Sequence, residues 1–143
     1  MKFRCAKVSL MKGFTVIGIA LMTVFILGSC SGPKKSVEEE NVLTSLSNIQ
    51  RSLENDISYE QFIELLSQAK IKIDILKSNA KNSQCFMGAV DKCYAYYATG
   101  GRAWQQKLTT TDENRKQDMD LTLSVLQSRA ALSIRVADNC YKN

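Results

Sequence analysis

Proline is absent from the chain after Pro33, and only three glycines follow it. Both residues interrupt helices, and turn-rich β folds need them, so a long stretch this poor in them favours long helices. Apolar residues recur there at alternating steps of three and four, which predicts one apolar stripe on each of four helices. The four stripes are Val42, Leu46, Ile49 and Leu53; Phe62, Leu66, Ala69, Ile73, Leu76 and Ala80; Phe86, Val90, Cys93, Tyr97, Trp104 and Leu108; and Met119, Leu123, Leu126, Ala130, Ala137 and Cys140.

Short connections near residues 56–57, 81–82 and 108–111 separate the stripes, so consecutive helices should run antiparallel. We therefore predict an all-α, up-down-up-down helical bundle of about four helices over residues 36–143. A three-helix core with the first helix partly detached is the alternative. The run KIKIDI at residues 70–75 alternates like a strand, but its flanks are helical and we predict helix. Pairs that fit a helix N-terminal cap are Ser36 with Glu39, Ser58 with Gln61, and Thr110 with Glu113.

The first 29 residues have the three parts of a secretory signal peptide. The start is basic and lacks acidic residues as far as Lys12, residues 14–27 are uncharged and apolar, and the pair Gly28-Ser29 is small. This apolar run is shorter than the ~20 residues that a bilayer-spanning helix needs. We therefore predict that the segment is cleaved, whether translation starts at Met1 or at Met11. An uncleaved anchor is the alternative, because Val8 to Leu10 extend the apolar stretch across Lys12.

The segment Leu27-Gly28-Ser29-Cys30 resembles the lipobox of bacterial lipoproteins. In that class the cysteine thiol receives a diacylglyceryl group, a dedicated peptidase cuts before it, and the new amino terminus is acylated, typically with palmitate. The resemblance implies that Cys30 is a lipid attachment point, residues 30–35 a flexible tether and residues 36–143 the folded domain. Ser31, rather than Asp, implies by the sorting rule of enteric bacteria an outer-membrane protein that faces the periplasm, with surface display as an open alternative.

Net charge argues against nucleic acid as a partner. The whole chain carries +5, but all 14 acidic residues and only 15 of the 19 basic ones follow Cys30, which leaves 15 − 14 = +1 for the mature chain. Most of the basic character therefore belongs to the export signal. Because the exported domain is nearly neutral and lacks a basic stripe, we predict that it has no nucleic-acid partner.

Residues that carry catalysis are scarce. The chain contains no histidine, which removes the usual general base and the commonest metal ligand. Gly100-Gly101 lacks the Lys-Ser/Thr of a phosphate loop, and Asp118 and Asp120 lie on different faces of a helix. The run Glu38-Glu39-Glu40 is expected to be a solvated first turn favoured by the helix dipole. We predict no enzyme, no metal site and no cofactor.

Two features could serve binding. Tyr94 and Tyr96 flank the predicted third stripe, where they would contact a partner or seal seams between helices. Gly100-Gly101, within the third helix, would allow either a kink or close helix packing. We predict a lipid-anchored envelope protein whose domain binds a protein partner, as a scaffold or immunity-type module. The alternative is a carrier or sensor of an apolar ligand in the bundle core, and a cysteine-based redox protein is a weaker third.

A disulfide is expected because export leads to an oxidising compartment. Cys85, Cys93 and Cys140 are the candidates once Cys30 is acylated. If the last two helices fold back about Glu113, Cys85 and Cys140 differ by ~1.5 Å in depth, whereas Cys93 and Cys140 differ by ~10 Å. The apolar stripes favour the pair Cys93–Cys140 instead, because both residues lie on the core face and Cys85 lies on its flank. We predict the pair Cys85–Cys140 on the ground of depth, with Cys93–Cys140 and no bridge as alternatives.

Overall fold

The computed structural model describes residues 34–78 and 83–142; the predicted signal peptide, the lipobox-like segment with Cys30 and most of the predicted tether lie outside this part. Its helices pack against one another as an all-α four-helix bundle, which confirms the predicted fold class. They are α1 (Val37–Leu53), α2 (Tyr59–Ser78), α3 (Gln84–Thr109) and α4 (Glu113–Asn139).

The first helix belongs to the core, so it is not detached as in the three-helix alternative. Val42, Leu46 and Ile49 on α1 are buried together with the stripes of the other helices. The segment 70–75 lies within α2 and is helical, as predicted. Helix α3 runs antiparallel to α4, because Cys85 near its start contacts Cys140 and Lys107 near its end pairs with Asp120.

Two of the predicted caps are confirmed. The backbone N–H of Glu39 donates to Ser36 Oγ over 3.1 Å, and the N–H of Ser36 donates to Glu39 Oε2 over 2.8 Å. Ser58 and Gln61 make the same reciprocal pair before α2, over 3.3 and 3.0 Å. In both cases a short side chain satisfies an N–H that lacks a partner in the first turn.

The predicted cap at Thr110 is wrong. Asp112 caps α4, because its carboxylate Oδ1 accepts from the N–H groups of Asn114 and Arg115 over 3.0 and 3.3 Å. Thr110 instead ends α3, and its N–H donates to the carbonyl of Gln106. The negative charge of a carboxylate just before a helix also interacts favourably with the positive end of the helix dipole.

Leu108 is also misassigned to the core, since it is 60% exposed. Trp104, one turn earlier, contacts the ring of Tyr59 with centroids 5.8 Å apart. Tyr59 is the first residue of α2, so α3 extends one turn beyond the helix that would cover Leu108. An apolar stripe is buried only where a neighbouring helix runs beside it.

Gly100-Gly101 allows close helix packing, since α3 continues through it as α-helix. A Cβ at position 101 would lie 3.0 Å from Phe62 Cε1 on α2, and one at position 100 would lie 3.7 Å from Leu123 Cδ2 on α4. The two glycines thus let α3 approach a helix on each side. This supports the packing interpretation of the pair that the sequence left open.

Candidate functional site

The structure brings Cys85 and Cys140 together as a disulfide with Cα atoms 5.9 Å apart, within the ordinary range for this bond. Depth was therefore the better guide to the pairing than the stripe. Cys93 lies on the core face and is fully buried with a free thiol. Burial raises the pKa of this thiol to about 12, so the reactive thiolate is scarce at neutral pH. The weaker redox hypothesis gains no support from Cys93.

Tyr94 and Tyr96 do not form one site. Both are half-buried and pack against the core. They are two residues apart on a helix, so their side chains leave α3 in directions roughly 160° apart. Tyr96 lies in a groove between α3 and α4, and Tyr94 is not among the residues that line it. Of the two predicted partner-binding residues, only Tyr96 therefore contributes to this groove.

The outward side of α4 carries a second apolar stripe that the sequence analysis did not identify. Leu121, Val125, Leu132 and Val136, here called the α4 outer stripe, are 69%, 44%, 61% and 47% exposed. Helical geometry places all four within roughly 60° of one another and roughly 140° from the buried stripe of the same helix. Their spacing of four, seven and four was visible in the sequence. Helix α4 is therefore apolar on two sides, only one of which the bundle covers.

A groove of about 550 Å³ lies between α3 and α4 beside this stripe. Leu132 and Val136 contribute one wall, and the buried residues Ala89 and Ser133 are part of its lining. Gly88 leaves it open, because a Cβ there would meet no heavy atom within 4 Å. We call this feature the α3/α4 groove. Its residues are Gln84, Cys85, Gly88, Ala89, Lys92, Tyr96, Arg129, Leu132, Ser133 and Val136.

The α3/α4 groove is positively charged. Lys92 and Arg129 line it, and no carboxylate is among its lining residues. Neither cation forms a salt bridge within the described chain, and neither does Arg135, which adjoins Leu132 in a second depression. Other lysines are paired: Lys77 with Asp91 at 2.7 Å is one case. Apolar side chains and unpaired cations therefore occupy the same face.

Other depressions fit the alternative function less well. The cavity beside Gly100, lined by Phe62, Tyr97 and Trp104 among others, measures about 10 Å³, about the volume that one water-sized probe occupies. A cleft of about 350 Å³ lies at the end of the bundle where α3 finishes and α4 begins, between Ile57, Trp104 and Asp120. It has a mixed polar and apolar lining and is open. An apolar ligand in the bundle core would have to displace side chains that are now packed.

Within residues 34–78 and 83–142, no group of three or more Cys, Asp or Glu side chains could hold a metal ion. In the same part of the chain, no helix has both the length and the apolar character to cross a membrane. No protein-family profile, curated protein or solved structure matches this sequence. Two features remain from which a function can be inferred, the resemblance to a lipobox and the exposed face of α4.

Proposed function

We propose that this protein is a lipid-anchored protein of the bacterial cell envelope whose helical domain binds another protein, as a scaffold or immunity-type module. The α4 outer stripe is the observation that carries the binding half of the proposal. Apolar side chains that are scattered singly on a surface need no explanation, but apolar residues that recur on one face of a helix beside a groove are typical of an interaction site. Four such residues lie on one side of α4 as two pairs, and the second pair, Leu132 and Val136, lines the α3/α4 groove.

The exposed apolar residues of α2 make a weaker case. Ile63, Ile71 and Ile75 on α2 are 38%, 58% and 54% exposed. They spread over roughly 120° of the helix surface, twice the range of the α4 outer stripe. Lys70, close to Ile71, forms a salt bridge with Asp74 at 2.5 Å. The α2 surface therefore serves as the comparison for experiments on α4.

The anchoring half of the proposal is supported by the lipobox and by the position of Lys35. Lys35 contacts Asp138 near the end of α4, so the tether meets the bundle at the end where α1 begins and α4 finishes. Lys35 is the fifth residue after Cys30, so their Cα atoms can lie at most about 17 Å apart. A lipid on Cys30 would keep this end of the bundle close to the membrane, in the outer membrane if the enteric sorting rule applies.

Site-specific photo-crosslinking in living cells tests the binding half. A photoreactive residue at position 132 should give an adduct of one defined mass, and the same residue at position 71 should not. The two positions are matched, since Leu132 is 61% and Ile71 58% exposed. Absence of an adduct at all four positions of the α4 outer stripe would contradict the proposal. A lipid that copurifies in stoichiometric amount, without a protein, would favour the apolar-ligand alternative.

Replacement of Cys30 tests the anchoring half. Cys30→Ala should abolish incorporation of a fatty-acid analogue, leave an unprocessed precursor and release the protein from the membrane fraction, because two or three acyl chains are needed for stable anchoring. Cys5→Ala serves as the control, since Cys5 lies before the apolar run. Equal labelling of the Cys30→Ala variant and the unchanged protein would show that Cys30 is not the lipidated residue.

We also propose that the domain is not an enzyme and that it uses no cofactor. The missing histidine and the absence of a marked carboxylate pair support this. Purified protein should show no turnover on panels of peptide, glycan and ester substrates. Reproducible turnover that disappears when a single Asp or Glu is changed would contradict this part of the proposal.

A further inference from the structure

We propose that the α3/α4 groove and the adjoining α4 outer stripe bind an amphipathic helix of a partner protein, and that this helix carries acidic residues beside its apolar side chains. The inference depends on the proposed protein-binding function and specifies the chemistry of the partner.

The shape of the surface favours a helix. The α4 outer stripe extends from Leu121 to Val136, which is about 22 Å or four helical turns. A helix laid against α4 would meet one apolar pair, Leu121 with Val125, and a second, Leu132 with Val136, about two turns further along. Packed helices approach to 8–10 Å, depending on the size of the side chains between them. Gly88, Ala89 and Ser133 are small residues of the groove, so they leave room for side chains of the incoming helix.

The charges select an acidic partner. Lys92 and Arg129 line the groove, and Arg135 lies on the other flank of the stripe beside Leu132. None of the three is neutralised by a carboxylate of the described residues. Complementary charge at the edge of an apolar interface accelerates association and excludes partners of like charge. Glutamate or aspartate beside the apolar positions of the incoming helix would pair with these cations.

A second copy of the chain fits this surface less well. In an antiparallel pair of α4 helices, Leu121 would face Val136 and Val125 would face Leu132, since each pair of numbers sums to 257. In this register the twofold axis passes between residues 128 and 129. The two copies of Arg129 therefore lie side by side near the axis. Like charges side by side in an interface are unfavourable. A membrane surface also fits less well, because a bilayer does not fill a groove between two helices.

Two designed peptides would test the proposal. They share one apolar helical seam, and one carries Glu and the other Lys at the flanking positions. Full-length protein in nanodiscs of neutral phosphatidylcholine is titrated with each peptide, and empty nanodiscs correct for partition into lipid. We expect the Glu peptide to bind about tenfold more tightly than the Lys peptide. This preference should shrink as salt rises, because the charges are exposed.

Matched variants locate the binding. Leu132→Gln should abolish binding of the Glu peptide, whereas Ile71→Gln, at a residue of similar exposure, should leave it unchanged. Arg129→Gln should reduce the preference for Glu over Lys. Circular dichroism checks that each variant keeps its helices. An effect of Ile71→Gln equal to that of Leu132→Gln would show that binding is a general property of exposed apolar residues and would overturn the proposal.

The results below separate a failure of the acidic-helix inference from a failure of the proposed protein-binding function. Equal affinity for the two peptides, or no binding of either, overturns the acidic-helix inference. If position 132 still crosslinks to a protein in cells, the protein-binding function stands without it. Binding to phosphatidylglycerol vesicles that Leu132→Gln removes, without peptide binding, assigns the face to the membrane. Self-association that Leu132→Gln removes assigns the face to a second copy of the chain.

Discussion

At the scale of single residues, Glu39 departs most from what its sequence context indicates. It is the middle of three consecutive glutamates that were expected to form a solvated turn, yet it is only 4% exposed. Both carboxylate oxygens have partners: Oε2 accepts from the N–H of Ser36 and Oε1 from the hydroxyl of Tyr141. Burial and this hydrogen bond raise the pKa of Tyr141 above its usual value. The solvated-turn prediction is therefore wrong for Glu39, because the C-terminal residues fold back over it.

Glu39→Gln tests the importance of this buried carboxylate. The glutamine carbonyl oxygen can accept from the Ser36 N–H, but its NH₂ group must then donate to the Tyr141 hydroxyl, so two charge-assisted hydrogen bonds become weaker neutral ones. We expect the free energy of unfolding to fall by about 1–3 kcal/mol. Glu38→Gln is the control, because Glu38 is an exposed neighbour in the same turn. Urea denaturation measures both, and equal stabilities would show that the buried pairing contributes nothing.

Cys93 should be chemically inert in the folded protein. With a pKa of about 12, only about one thiol in ten thousand is ionised at pH 8, and the buried sulfur is shielded from reagents. After reduction, iodoacetamide should label Cys85 and Cys140 in native protein, and it should label Cys93 only when denaturant is present. Peptide mass spectrometry gives the readout for each cysteine. Labelling of Cys93 at the rate of Cys85 under native conditions would contradict the packing described here.

At the scale of elements, the glycines of α3 offer a graded test. Glycine within a helix costs roughly 0.5–1 kcal/mol relative to alanine. Gly88→Ala should recover this stability, because its Cβ would meet no atom within 4 Å. Gly100→Ala should also stabilise, since 3.7 Å to Leu123 Cδ2 is an ordinary contact.

Gly101→Ala should have the opposite sign. Its Cβ would lie 3.0 Å from Phe62 Cε1, and Phe62 is buried between the rings of Tyr97 and Trp104. Overpacking of this kind typically costs about 1–3 kcal/mol, which exceeds the gain from helix propensity. Thermal unfolding of the three single variants gives the comparison. A Gly101→Ala protein as stable as the Gly88→Ala protein would show that α2 and α3 are less closely packed than described.

The sequence predicts elements well where the signal is local. The caps at Ser36 and Ser58 depend on residues three apart, and both are confirmed. The exposure of Leu108 depends on where α2 begins on the opposite side of α3, which periodicity cannot show. The α3/α4 groove likewise arises from the way two helices pair. The spacing of residues 121–136 reveals a second apolar stripe on α4. It does not reveal that this stripe is exposed, because a helix with apolar residues on two sides can also be one that is buried on both.

At the scale of the whole molecule, the end of the bundle next to the proposed anchor is the more strongly connected one. Lys35 and Lys142 both contact Asp138, and these hydrogen bonds, the one from Lys142 above all, hold the pKa of this carboxyl below its usual value. Tyr141 contacts the ring of Phe86 at 5.8 Å between centroids and hydrogen-bonds to Glu39. The starts of α1 and α3 are thus joined to the end of α4. The far end has the contact between the rings of Tyr59 and Trp104 and the exposed pair Lys107–Asp120 at 2.5 Å, but no covalent link among the described residues.

The disulfide between Cys85 and Cys140 completes this connected end and encloses a loop of 55 residues. Chain entropy predicts that a loop of this length stabilises the fold by about 4 kcal/mol, because the bridge restricts the unfolded chain. Replacing both cysteines by serine should lower the free energy of unfolding by that amount in oxidised samples. In a reducing buffer the variant and the unchanged protein should have nearly equal stabilities, which separates the bond from the packing of its sulfurs. Non-reducing peptide mapping should recover Cys85 linked to Cys140. A linked peptide that contains Cys93, or a double variant as stable as the oxidised protein, would contradict the assignment.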